Sequence, residues 1–245
     1  MENYVDILGV RIDRVDMQGA IKKIKELVEK ETPSVVFTPN SEIIYLAKND
    51  EEFKKILNSS DLNTADGIGV VYASKILKEP IGERVAGYDL SRNLLSFMNE
   101  NRLKLFLFGS KEGIAKKAKE NILKEYPDIN ICGTENGYFK ESDGIIEKIN
   151  KEEPDFVFVC LGAPKQEKWI YENKNKLKCK VLMGIGGSLD VYAGEAKRSP
   201  DIFIKLNIEW LYRLIKNPSR IGRMMALPKF ALAVLKYRKG GKKNA

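Results

Sequence analysis

The sequence contains no histidine, and this absence excludes several kinds of active site. A Ser-His-Asp triad, a histidine-ligated metal and an imidazole general base are all impossible in this chain. General-base chemistry would have to come from a carboxylate, a lysine or a tyrosine. The chain also lacks an Asp-x-Asp triplet, a common means of holding a divalent metal beside a diphosphate. A bound diphosphate would therefore have to be neutralised by arginine, lysine and backbone amides.

Cysteine is scarce, and long apolar runs are missing. Cys132, Cys160 and Cys179 lie in or beside predicted strands without CxxC spacing, so we interpret them as reduced thiols of a cytosolic protein. The N-terminus lacks the basic and apolar segments of a signal peptide. No run approaches the roughly 18 apolar residues of a spanning helix. These absences predict a cytoplasmic location, with any membrane contact peripheral.

The net charge of +8 is concentrated at the C-terminus. Residues 197–245 carry 13 Lys/Arg and 2 Asp/Glu, whereas the preceding 196 residues are slightly acidic. Such a distribution indicates that the C-terminal segment contacts an anionic ligand or surface. The basic and apolar stretch after Pro228 is too short to span a bilayer but suits a helix that lies on one. The alternative of equal weight is a helical pair docked on the core with a solvated basic end.

Hydrophobic periodicity alternates between short strands and amphipathic helices. The predicted strands lie at 35–38, 104–108, 129–132, 156–160 and 180–183. The predicted helices lie at 17–31, 41–59, 67–77, 88–100, 111–125, 142–152, 164–177 and 200–216. This alternation predicts an α/β fold with a doubly wound, mostly parallel sheet and helices on both faces. We place a core at 1–195 and a basic helical appendage at 196–245.

The segment 155–169 is the most informative part of the chain. A buried strand enters the turn Gly162–Pro164, which opens into a helix beginning with Lys165 and Gln166. Such junctions bind ligands in α/β proteins, because the unpaired amides of the first helical turn point beyond the sheet edge. A plain connection requires neither a cation nor an amide here, so we interpret this junction as part of a site.

Polar residues and glycines also follow four other strand-like segments, one of which is the short Leu62–Thr64 before Asp66. Asp66 precedes the glycines that open a helix, where it could accept a proton or merely cap that helix. Asn40 is, in isolation, better interpreted as a helix cap. Tyr138 lies in an exposed turn, and the glycines of 184–190 would permit close approach to a phosphate or ribose. In a doubly wound sheet these strand ends converge on one crevice.

Three C-terminal arginines form a further candidate group. Arg213, Arg220 and Arg223 could share one helix face if Pro218 bends the axis only slightly. Guanidinium groups bind diphosphates in a bidentate manner. Scattered, solvated arginines are the alternative of equal weight.

Together these segments resemble the WecG/TagA/CpsF family of bacterial glycosyltransferases. The resemblance runs through 38–40, 65–67, 84–90, 137–139, 161–169, 184–194 and 209–213, and the last three segments are long and specific. It implies a Rossmann-like core and an appendage that meets the inner face of the cell membrane. It also implies transfer of N-acetylmannosamine from UDP-ManNAc to the 4-hydroxyl of undecaprenyl-diphosphate-GlcNAc, for wall teichoic acid. The new bond would be β-1,4, formed with inversion and without a metal or other cofactor.

The resemblance also implies roles for individual residues. Asp66 would be the general base. The residues expected to contact the substrates are Thr38, Asn40, Arg84, Gln166, Arg213, Arg220 and Arg223, with the three C-terminal arginines closing over the active site. The residues expected to border the UDP are Tyr138, Gly162, Lys165, Gly187 and Asp190.

Several alternatives stay open at this point. Relatives use UDP-ManNAcA or UDP-hexoses with similar motifs, so the donor is not fixed. An oxidoreductase is disfavoured because the chain lacks GxGxxG. A basic membrane- or RNA-binding module would leave the polar strand ends unexplained. The expected partners are the UDP-sugar, the lipid-linked acceptor and the membrane surface, with no nucleic acid, and a homo-oligomer is left open.

Overall fold

The centre of the protein is a six-stranded sheet in which every strand runs parallel to its neighbours. The computed structural model describes residues 3–206, 208–216, 218 and 221–240, without the side chains at 201, 205, 213 and 223. The sheet strands are β3 (Ser34–Phe37), β4 (Leu62–Asn63), β5 (Lys104–Gly109), β6 (Asn130–Glu135), β7 (Phe156–Cys160) and β8 (Val181–Gly184). Their order across the sheet is β4-β3-β8-β7-β5-β6. A separate antiparallel hairpin consists of β1 (Tyr4–Ile7) and β2 (Val10–Asp13).

Helices cover both faces of this sheet. Those of the first 195 residues are α1 (Met17–Val28), α2 (Ser41–Lys48), α3 (Glu51–Asn58), α4 (Ile68–Ile76), α5 (Gly87–Asn101), α6 (Ile114–Glu125), α7 (Asp143–Glu152), α8 (Lys165–Asn173) and α9 (Ser188–Tyr192), with a 3-10 turn at Lys174–Lys176. Those of the C-terminal segment are α10 (Asp201–Lys205), α11 (Glu209–Lys216), α12 (Ile221–Met224) and α13 (Ala226–Lys239).

Two hydrophobic clusters hold the layers together. Successive strand residues point to opposite faces, so Phe106 and Phe108 belong to one cluster and Leu105 and Leu107 to the other. The first cluster is covered by the hairpin, α2, α3, α4, α7, α8 and α13, and the second by α1, α5, α6 and α9. Because helices lie on both faces, β3, β7 and β8 are buried at every position. The predicted α/β fold is confirmed.

Some predicted element boundaries are wrong. The helix predicted over 41–59 is divided, because Asp50 accepts a hydrogen bond from the amide of Phe53 (2.9 Å) and starts α3. The helix predicted over 200–216 is also divided, into α10 and α11. The sequence did not predict the N-terminal hairpin, whose turn places Leu8 and Gly9 at positive φ.

The C-terminal segment contains two different kinds of helix. In α13, Phe230 and Val234 are buried in the first cluster, where α13 packs on α2 and α4. The hydroxyl of Tyr237 donates to Asp6 Oδ1 of the hairpin at 2.8 Å. Burial and the carboxylate of Asp6 raise the pKa of Tyr237 to about 12. By contrast, α10 to α12 and their connections expose several large apolar side chains, namely Ile202, Leu206, Trp210, Ile215 and Ile221.

The division between core and appendage at residue 195 stays a prediction. In the described part of the chain, none of the helices has the length and apolar character that crossing a membrane requires.

Candidate active site

Asp66 lies in the loop between β4 and α4, half-buried at the carboxyl edge of the sheet. Its backbone amide donates to the carbonyl of Pro39 (3.2 Å), and its Oδ2 accepts the amide of Gly87 (3.2 Å). Gly67, at φ +99°, occupies the N-cap position of α4, so Asp66 lies one residue before that cap. The Asp66 carboxylate is held at the N-terminus of α5, whose partial positive charge stabilises an anion.

Thr38 and Asn40 follow β3 and lie beside Asp66. Asn40 Oδ1 accepts the amide of Ile43 at 3.0 Å, so the interpretation of Asn40 as the N-cap of α2 is confirmed. Thr38 is buried against Gly87, where an added Cβ would lie 2.7 Å from Thr38 Oγ1. Glycine at position 87 therefore allows α5 to approach the end of β3 and to direct its first amide at Asp66.

Gln166 lies in the first turn of α8 and contacts the loop after β8. Its side chain is only 3% exposed; Oε1 accepts the amide of Gly186 (3.0 Å), and Nε2 donates to Glu167 Oε1 (2.7 Å). A Cβ on Gly184 would lie 2.9 Å from the same Nε2. Gln166 thus fixes the loop that follows β8 through its hydrogen bond with Gly186. Its predicted contact with the sugar stays a prediction.

Glu167 is a buried carboxyl directly behind Gln166. Its Oε2 has no hydrogen-bond partner among the described residues. Burial raises the pKa of Glu167, against the opposing effect of the hydrogen bond from Gln166. The protonated form is therefore favoured here relative to a solvated glutamate.

A cleft of about 310 Å³ opens at the other end of the same sheet edge. Its lining includes Tyr138, Lys165 and Asp190, three of the five residues predicted to border UDP. Lys165 Nζ donates to the carbonyl of Gly137 (3.0 Å) and stands 4.3 Å from the centre of the Phe139 ring. Tyr138 is 72% exposed, so its ring is available to a ligand.

The remaining two predicted UDP residues are glycines beside this cleft. Gly162 has φ +73°, and a Cβ there would meet nothing within 4 Å. A Cβ on Gly187 would lie 3.8 Å from Asp190 Oδ2. Gly186, between β8 and α9, likewise combines positive φ with open space. These loops leave room for a ligand to approach the backbone closely.

Arg84 is held between two carboxylates. Its Nη1 lies 3.2 Å from Glu209 Oε2 of α11, and its Nη2 lies 3.6 Å from Asp89 Oδ2 of α5. Asp89 also pairs with Arg198, whose guanidinium stands 5.0 Å from the centre of the Tyr88 ring. Arg84 therefore joins the C-terminal segment to the helix whose first amide contacts the Asp66 carboxylate.

The predicted arginine group falls largely outside the described residues. Arg220 is not among them, and for Arg213 and Arg223 only the backbone is described. Their closure over the active site stays a prediction. Among the described residues, no group of three or more Cys, Asp or Glu side chains is positioned to hold a metal ion.

Sequence reasoning missed Gly87, Ser110 and Lys111. The helix predicted over 111–125 begins only at Ile114, after Gly113, so Ser110 and Lys111 lie outside it. Ser110 and Lys111 line the cleft instead. The available signal was the pair Gly109-Ser110 at the end of β5, a strand whose carboxyl end lies beside that of β7.

The chain is similar to known proteins along nearly its whole length. The family model described as "Glycosyl transferase WecG/TagA/CpsF family" matches residues 5–244. The N-acetylglucosaminyldiphosphoundecaprenol N-acetyl-beta-D-mannosaminyltransferase of Bacillus subtilis (strain 168) is 40% identical over 218 residues, 89% of this chain and 85% of the relative. The protein of the same name from Staphylococcus aureus (strain MRSA252) is 37% identical over 242 residues, 98% and 95% of the two chains. Since the matches cover nearly the whole chain, this protein belongs to the WecG/TagA/CpsF family and is a glycosyltransferase.

Proposed function

We propose that this enzyme transfers N-acetylmannosamine from UDP-ManNAc to the 4-hydroxyl of undecaprenyl-diphosphate-GlcNAc, in wall teichoic acid synthesis. The names of the relatives support the transferred sugar and the lipid-linked acceptor. The observation that carries the proposal is the common sheet edge of Asp66 and the cleft. All six parallel strands end at this edge. Asp66 follows β4 at one side of the sheet, and Tyr138 follows β6 at the other.

Asp66 is proposed as the general base. Its carboxylate takes the proton of the acceptor 4-hydroxyl while the hydroxyl oxygen bonds to C1 of the sugar. The bond between C1 and the β-phosphate oxygen breaks, and its electron pair leaves with UDP. Attack opposite the leaving group in one step inverts the configuration at C1. The amide of Gly87 holds Asp66 Oδ2 during this step.

The leaving diphosphate is proposed to be neutralised without a metal. The support is the chemistry of the chain, which has no histidine and no Asp-x-Asp triplet but carries Lys111 and Lys165 at the cleft. Lysine ammonium groups and backbone amides stabilise the charge that develops on a departing phosphate. Arg213, Arg220 and Arg223 are proposed to add to this from the C-terminal segment.

We also propose that the C-terminal segment rests on the inner face of the cell membrane. Its basic charge and the exposed side chains of Ile202, Leu206, Ile215 and Ile221 suit an anionic lipid surface. The lipid-linked acceptor would be reached there, and Arg84 would connect this segment to the active site through Glu209.

The test is Asp66→Asn, assayed with UDP-ManNAc and a short-chain lipid-diphosphate-GlcNAc. We expect turnover to fall by about two to four orders of magnitude, as for loss of a general base, while UDP still binds. Asp128→Asn, an exposed carboxylate before β6, is the control and should transfer normally. Normal transfer by Asp66→Asn would remove Asp66 from this role.

Two further arms of this assay test the donor and the metal. UDP-ManNAc should be used in preference to UDP-ManNAcA and UDP-glucose. EDTA should leave the rate unchanged, and inhibition reversed by a divalent ion would overturn the metal-free proposal.

A further inference from the structure

Ser110 connects four elements at the wall of the cleft. Its amide donates to the carbonyl of Cys160 (2.9 Å), its carbonyl accepts the amide of Gly137 (2.8 Å), and its Oγ donates to Asp190 Oδ1 (2.8 Å). It therefore connects the ends of β5, β6 and β7 with the first turn of α9.

The backbone at Ser110 is unusual in a way that serves this contact. Ser110 has φ +62°, a left-handed conformation that non-glycine residues seldom adopt. Gly109 precedes it at φ +125°, and a Cβ there would lie 2.4 Å from the carbonyl oxygen of Cys160. The chain is thus pressed against β7, and the following residue is turned so that its hydroxyl reaches Asp190. Strained backbone of this kind is characteristic of ligand sites.

Asp190 differs in charge from the other polar groups of the cleft. Among the described residues that line it, Asp190 is the single carboxylate, and Lys111 and Lys165 are the cations. A diphosphate is attracted to the lysines and repelled by Asp190. The neutral hydroxyls of a ribose donate hydrogen bonds that a carboxylate accepts, as in dinucleotide-binding folds. With Oδ1 held by Ser110, the carboxylate is fixed in orientation for that contact.

We propose that Ser110 is a positioning residue that fixes Asp190 to accept a ribose hydroxyl of the donor nucleotide. The pair selects nucleotides that carry this hydroxyl over those that lack it. This inference rests on the proposed use of a UDP-sugar. It adds a basis for selectivity at the ribose of the nucleotide. The base itself lies toward Tyr138, whose exposed ring can stack on any base and so contributes little to this selection.

The test is calorimetric binding of UDP, 2′-deoxy-UDP and 3′-deoxy-UDP to the full chain. The wild type should bind one deoxy analogue about 10- to 100-fold more weakly than UDP, the range for a hydrogen bond to a charged group. Ser110→Gly removes the hydroxyl while glycine adopts positive φ freely, and it should lose most of this discrimination.

The Asp190→Ala variant completes a double-mutant cycle. It should bind UDP and the deoxy analogues alike, and Ser110→Gly should have no further effect in its background, because the two residues act as one unit. Equal wild-type affinity for all three nucleotides overturns the inference while leaving UDP as donor. The inference is also overturned if Ser110→Gly loses affinity equally for all three nucleotides. If the wild type binds no UDP, the donor proposal fails, and this inference fails with it.

Discussion

The close contact between Gly87 and Thr38 allows a sharp test of how Asp66 is positioned. In Gly87→Ala the new Cβ would lie 2.7 Å from Thr38 Oγ1, about 0.7 Å short of the 3.4 Å at which ordinary van der Waals contact begins. Thr38 is buried, so it has little room to withdraw. The N-terminus of α5 must move instead, and with it the amide that holds Asp66 Oδ2.

The expected effects on stability and on catalysis differ. Alanine gains about 0.5–1 kcal/mol over glycine within a helix, whereas overpacking costs about 1–3 kcal/mol. The free energy of unfolding should therefore fall by no more than about 2.5 kcal/mol. A misplacement of about 1 Å in a catalytic site can lower the rate on the order of 100-fold. For the shorter displacement here we expect kcat to fall about 10-fold or more, with UDP affinity unchanged.

The assay compares kcat, UDP affinity and urea unfolding for Gly87→Ala and Gly144→Ala. Gly144 also lies in the first turn of a helix, α7, but a Cβ there meets nothing within 4 Å. Gly144→Ala should be stabilised by about 0.5–1 kcal/mol and keep its full kcat. A wild-type kcat in Gly87→Ala would refute the argument that this contact positions Asp66.

Two further predictions concern buried side chains. Glu167→Gln should raise the melting temperature at neutral pH, because burial raises the pKa of Glu167 from the usual 4.5 and so disfavours its charged form in the folded protein. The wild type loses stability as the pH rises from about 4.5 through the raised pKa, whereas the glutamine variant does not. The difference in melting temperature should therefore shrink toward about pH 4, and an equal difference at that pH and at neutral pH would contradict this prediction. Phe230→Ala, 3% exposed, should lower the free energy of unfolding by about 3–5 kcal/mol, whereas Leu232→Ala, 60% exposed in the same helix, should change it by about 0.5 kcal/mol or less. Equal urea midpoints for these two variants would show that α13 does not belong to the core.

The sequence predicts the central sheet well, for a physical reason. Strands covered on both faces are apolar throughout, so Phe156–Cys160 is recognisable without context. The N-terminal hairpin was missed although Val5, Ile7, Val10 and Ile12 point inward at alternate positions of its strands. Its two-residue turn uses Leu8-Gly9 at positive φ, where Asn-Gly would have been the usual signal.

The candidate site is predictable to the extent that it follows from topology. Asp66 and Asn40 lie together because parallel strands end at one edge. Gly87 could not be found in this way, since its role depends on how α5 packs against β3, about 50 residues earlier in the chain. The role of Ser110 depends on the direction of one hydroxyl, which spacing does not encode.

The packing of α13 has a consequence for synthesis on the ribosome. Phe230 and Val234 complete a cluster that begins with Val5, and Tyr237 contacts Asp6. The surfaces of α2 and α4 that α13 covers are translated long before α13 itself. At a synthesis rate of about 5–20 residues per second, these surfaces stay uncovered for on the order of ten seconds or more before α13 is made. During that time the nascent chain exposes apolar surface near its first residues, and this surface is where a chaperone would bind.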